Sequence, residues 1–114
     1  MSIASGVAQK VLSPVTDDKA FHFYYEVDKP TGISASSLNE FAAKLRSIDS
    51  NSVVFHSKRG DFENWVYMLG DPQLAKELIR VRDSNLEGDK LRSELVRVVQ
   101  ARLRKLQGNS AKKK

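Results

Sequence analysis

FHSKRGDFENWVYMLGD, residues 55–71, gathers a histidine, an Arg-Gly-Asp triplet, the single tryptophan and two Gly-Asp pairs into one short run. The Gly-Asp pairs punctuate it. Gly60 suits the position after a last helical turn, and Asp61 is a natural N-cap for the helix that follows. In that helix Phe62, Trp65, Val66 and Leu69 recur at i, i+3, i+4 and i+7. Gly70 and Asp71 repeat the device, with Pro72 at the first helical position beyond them. The stretch therefore predicts two sharp corners that fold three short helices around Trp65.

Upstream, DSNSVVFHSKRG (49–60) fits a short helix capped by Asp49 or Ser50, or an extended segment through Val53, Val54 and Phe55; Gly60 favours the helix. SSLNEFAAKLRSI (36–48) carries a capping box, in which the Ser37 and Glu40 side chains each bond the other residue's backbone N–H. Leu38, Phe41, Ala42, Leu45 and Ile48 then mark one buried face. AFHFYYEV (20–27) alternates, with Phe21, Phe23, Tyr25 and Val27 on one side and His22, Tyr24 and Glu26 on the other, as a half-buried strand does. DKPTG (28–32) is turn chemistry, and ISAS returns as a short second strand.

Downstream, DPQLAKELIRVRDS (71–84) predicts a helix with Leu74, Leu78, Ile79 and Val81 inward. The longest element spans about residues 89–106 and turns Leu91, Leu95, Val98, Val99, Leu103 and Leu106 to the core. Residues 1–19 show no sustained period and read as a flexible N-terminal arm; 108–114 read as a basic disordered tail. The expected architecture is α+β and predominantly helical: one N-terminal strand or short hairpin packed with four to five short helices, in a single domain over residues 20–107.

Composition narrows the chemistry. A chain of 114 residues, 40% apolar and 29% charged, supports one compact core. Without cysteine it has no disulfide, thiolate nucleophile or Cys-based zinc site. No run approaches the roughly 20 apolar residues of a membrane helix and no secretion signal is visible, so a cytoplasmic setting with no membrane partner is expected. Charge is unevenly spread. Residues 84–114 hold nine Lys or Arg against three acidic residues, whereas residues 1–83 hold ten basic and eleven acidic. Such asymmetry points to a polyanionic partner, DNA or RNA first.

FHFYYEV, PTGISASSLNEFAAKL, FHSKRGDFENWVYMLGD, LAKELI and LRSELVRVVQARLRKL together resemble a small uncharacterised archaeal domain family, over about residues 20–106. That family shares an F-H-x-x-R-G-D-F-x-x-W-x-x-x-L-G-D core. The resemblance implies a domain built around the same joints and no assigned activity.

Three functional readings follow. In the first, a non-catalytic module binds nucleic acid without sequence preference, with Arg97, Arg104, Lys105, Lys112, Lys113 and Lys114 on phosphates. The second is a protein-interaction module docking through the aromatic strand 20–27, whose open edge would accept a partner strand. In the third, a small enzyme uses His56 as a general base oriented by Asp61. His56, Asp61, Trp65, Asp71 and Arg102 are expected to be structural. Arg102 falls inside the apolar arc of the last helix, so it must either snorkel past the core edge or meet a carboxylate, with Asp61, Glu63 and Asp71 at hand. No cofactor motif occurs, and His22, His56 and the nearby aspartates lack metal-site spacing. The Arg59-Gly60-Asp61 triplet matches an integrin-recognition motif, which requires an exposed extracellular loop.

Overall fold

The computed structural model describes residues 5–111, over which the chain forms six α-helices and a two-stranded antiparallel hairpin. The order is α1 (Ser5–Leu12), a 3-10 turn (Asp17–Lys19), β1 (Phe21–Glu26), β2 (Lys29–Ala35), α2 (Leu38–Ser47), α3 (Ser50–Arg59), α4 (Asp61–Leu69), α5 (Pro72–Asp83) and α6 (Gly88–Ala111). This is the predominantly helical α+β architecture that the sequence predicts. The hairpin packs on α2 and α3, and α6 runs across α2, α3 and α5. Among the described residues no helix is long and apolar enough to cross a membrane.

Aromatic side chains make the centre of the core. Phe21 and Phe23 of β1 meet Phe41 of α2 and Phe62 and Trp65 of α4; Phe23 and Phe41 stack with centroids 6.0 Å apart, and Phe21 meets Trp65 edge-on at 5.7 Å. Full burial of one such side chain contributes about 1.5–3 kcal/mol. All six predicted apolar residues of α6, from Leu91 to Leu106, are buried.

Several expectations are corrected. The arm over 1–19 is in part folded: α1 buries Val11 completely, and Trp65 Nε1–H donates to Lys19 O at 2.9 Å. Two turns of helix are too short for a sustained period to show in the sequence. At the other end α6 continues to Ala111, past the expected domain boundary at 107; Lys112, Lys113 and Lys114 lie outside the described residues.

The hairpin turns at Val27-Asp28, with Asp28 at φ 63°, so Pro30 and Gly32 of the expected turn lie inside β2. Thr31 makes this possible. Its hydroxyl donates to Phe23 O at 2.9 Å and accepts the Ile33 N–H at 3.0 Å, bridging the irregular register beside Gly32. Alternation ends there too, and Tyr25 and Val27 are exposed rather than inward.

Two helix details also differ. Ser37 Oγ accepts the Glu40 N–H at 3.2 Å, but Glu40 reaches back to the N–H of Ser36, not Ser37, at 2.8 Å. On α5 the buried face is Leu74, Ala75, Leu78 and Val81, and Ile79 falls on its exposed flank.

Candidate functional site

The Gly60 corner delivers His56 beneath β1. Asp49 starts α3 by accepting the Asn51 N–H at 2.8 Å, and Gly60 at φ 78° ends it. His56, in its last turn, is 4% exposed, with Phe21 4.8 Å and Phe55 5.0 Å from its ring centroid. The Tyr24 N–H donates to Nε2 at 2.8 Å, which fixes the proton on Nδ1; Nδ1–H donates to Asp61 Oδ2 at 2.7 Å. Burial pushes the imidazole pKa below its ordinary value, against the opposing pull of the Asp61 carboxylate.

Asp61 is not the expected cap. Gly60 holds the N-cap position of α4, and Asp61 is already helical, with its carboxylate turned back to His56 and to Arg59 Nε at 3.3 Å. The His56 and Asp61 pair has the orientation of a general base and its carboxylate, but the Nε2 lone pair that would take a proton is occupied by the Tyr24 N–H. What the arrangement does is tie β1, α3 and α4 together.

Above it opens a cleft of about 510 Å³ lined by His22, Tyr24, Val27, Phe55 and Arg59, with His56 and Asp61 at its base. The Arg59 guanidinium carbon lies 4.8 Å from the Phe55 ring centroid, and the side chain is half exposed. Stacking and the Asp61 contact hold this cation in one orientation. On the same hairpin Tyr25, Val27 and Ile33 are exposed. Strand addition, expected at an open edge, is obstructed on both sides. His56 occupies the outward Tyr24 N–H of β1; on β2, Pro30 has no donor and Lys44 Nζ donates to Ser34 O at 3.3 Å.

The remaining predicted residues fall into two groups. Arg102 meets Asp71 through two hydrogen bonds, Nε to Oδ2 at 2.8 Å and Nη2 to Oδ1 at 2.9 Å, while Asp71 Oδ1 also accepts the Leu74 N–H that starts α5. Arg97, Arg104 and Lys105 lie on the exposed side of α6, but Arg97 is bound to Glu94, with Nε to Oε1 at 2.9 Å. Glu94, held also by Arg80, has its pKa lowered to about 2, chiefly by the Arg97 hydrogen bond. His22 Nε2–H donates to Asp17 O at 2.9 Å, and among the described residues no three His, Cys, Asp or Glu side chains gather as metal ligands would.

Two functional contacts escape sequence reasoning. Arg92 donates to Leu45 O at 2.7 Å and Ile48 O at 2.6 Å, closing the carbonyl end of α2, and Glu63 accepts from Arg82 Nε at 2.9 Å. Glu63 had a legible signal, being a carboxylate among the apolar residues of the buried face of α4. Arg92 had none, because its partners are backbone carbonyls far away in the chain.

No curated protein and no solved structure matches the chain. Residues 4–100 match a family of unknown function, DUF5752. The matched span takes in α1, the hairpin, both Gly-Asp corners and most of α6, and it starts well before the expected limit at residue 20. The chain therefore belongs to the DUF5752 family.

Proposed function

We propose that this domain is a cytoplasmic, non-catalytic protein-interaction module whose cleft beside β1 receives a short segment of a partner, an apolar side chain next to a carboxylate. The observation that carries this reading is one cleft that brings Val27, 65% exposed, and Tyr24 together with a half-exposed Arg59 fixed over Phe55. The apolar residues supply contact area, and the guanidinium's Nη atoms, without a hydrogen-bond partner among the described residues, match a carboxylate. Because both strand edges are obstructed, recognition runs through side chains rather than an added strand. Selection of binders from a random peptide library tests it. The expected result is an apolar-acidic consensus that loses affinity for Val27→Asp and Arg59→Gln; absence of a consensus, or one indifferent to Arg59→Gln, overturns the reading.

A second reading, sequence-independent nucleic-acid binding, is favoured by the exposure of Arg104 and Lys105 on α6, without an ion-pair partner among the described residues, ahead of three terminal lysines. It would act by counterion release, so affinity should fall steeply with salt. Four to six phosphate contacts give a log–log slope of roughly −3 to −5 on duplex DNA, and the engagement of Arg97 by Glu94 favours the lower end. No gel shift with duplex DNA or RNA at about 50 mM salt, where such binding is strong, removes this reading.

A further inference from the structure

We infer that a second cleft, between the end of α3 and the α5–α6 loop, binds a small organic carboxylate with an apolar body. The cleft is about 520 Å³, floored by Val54, Leu86 and Leu91 and rimmed by Ser57, Lys58 and Gly88. Ser57 is 5% exposed, it lines this space, and its hydroxyl has no hydrogen-bond partner among the described residues. That hydroxyl is open to the cleft, where it can bond a ligand atom or water.

Two further features face the same way. α6 begins at Gly88, and its first backbone bonds run from Lys90 and Leu91 to Glu87 O, which leaves the Gly88 and Asp89 N–H groups at the positive end of a long helix. Lys58 has no ion-pair partner among the described residues, whereas Arg82, also on the rim, is already engaged by Glu63 at 2.8 Å. Glu87 lines the cleft as well, and its carboxylate opposes added negative charge. One unpaired cation, one hydroxyl and one helix start, set against the Glu87 carboxylate and the Asp89 carboxylate of the first turn of α6, favour a singly charged head over a phosphate dianion. The apolar floor favours a carbon body behind that head.

Titration of the isotope-labelled full chain with benzoate, and separately with inorganic phosphate, tests the assignment by backbone amide shifts. Benzoate should move the amides of Ser57, Gly88 and Asp89 while leaving the Tyr24 and Arg59 region unmoved. Lys58→Gln removes a charge-assisted bond and should weaken binding about tenfold; Ser57→Ala, which keeps the buried volume, should weaken it roughly fivefold. Both variants should keep the parent spectrum away from the cleft. The assignment is overturned by no shift at millimolar benzoate, by affinity unchanged in Lys58→Gln, or by inorganic phosphate moving the same amides more strongly than benzoate.

Discussion

Gly60-Asp61 and Gly70-Asp71 are the same dipeptide one short helix apart, yet the two aspartates do different things. Both glycines are left-handed, at φ 78° and φ 104°, and each ends a helix. After Gly60 the next helix starts at once, so Asp61 lies within it and its carboxylate is free to turn back to His56. After Gly70 one non-helical residue intervenes: Asp71, at φ −122° and ψ 77°, which caps α5 and binds Arg102. The residue that follows explains the difference. Pro72 keeps the position before it out of the helical region, whereas Phe62 imposes nothing on Asp61. A Gly-Asp pair thus marks a corner, and the next residue decides whether its carboxylate caps the helix or tethers a neighbour.

The largest expected effect falls on α4, the helix both corners share. Trp65→Ala should cost about 3–5 kcal/mol in urea melts, because the cavity lies among Phe21, Phe41 and the buried end of α4. A loss below about 1 kcal/mol would mean that the corners stand without it. Next, Arg102→Met leaves Asp71, 1% exposed at its side chain, with only its cap bond, and should cost about 3 kcal/mol. Asp61→Ala should cost less, about 1–2 kcal/mol, since the Asp61 side chain is 23% exposed and water can replace it on His56. Equal losses at the two aspartates would erase the distinction between cap and tether.

The tether also carries a pH signature. The folded-state pKa of His56 lies below its ordinary value, so the unfolded chain binds the proton more readily. Stability is then complete above about pH 7 and declines as pH falls below about 6.5 towards the lowered value, by at most about 1.4 kcal/mol per unit. Denaturant midpoints measured across that range should show the decline in the parent and lack it in His56→Gln. Smallest of all is Glu94→Gln. Its arginine partners are exposed, so the change should stay within about 0.2–1 kcal/mol and shrink as salt is raised.

Helices α2 to α6 were legible because each carries a strong local signal: a cap, a closing glycine, or an apolar stripe of three or more turns. A guanidinium inside an apolar arc must snorkel out or pair, which leaves three carboxylates as candidate partners, and the structure selects Asp71. The hairpin turn was misplaced because Pro30 and Gly32 outweighed Asp28, and only the Thr31 hydroxyl, bonded across the strands, accommodates them within β2. Asp61 reads as a cap for a related reason, and its contact with His56 enters the sequence reading only through the enzyme alternative. A cap is a local inference, whereas His56 becomes its partner only once β1 has covered the imidazole.

Arg92 bears on the order in which the chain assembles. Its guanidinium seals the carbonyl end of α2 at Leu45 and Ile48 and reaches Ser50 Oγ at the start of α3, across 42 to 47 residues of sequence. Until α6 packs, the Leu45 and Ile48 carbonyls at this corner have no Arg92 to accept from, so the corner depends on a contact made late in the sequence. The seal on this corner is therefore supplied by the opening turns of α6, and a chain cut before residue 92 lacks it however well its local helices form.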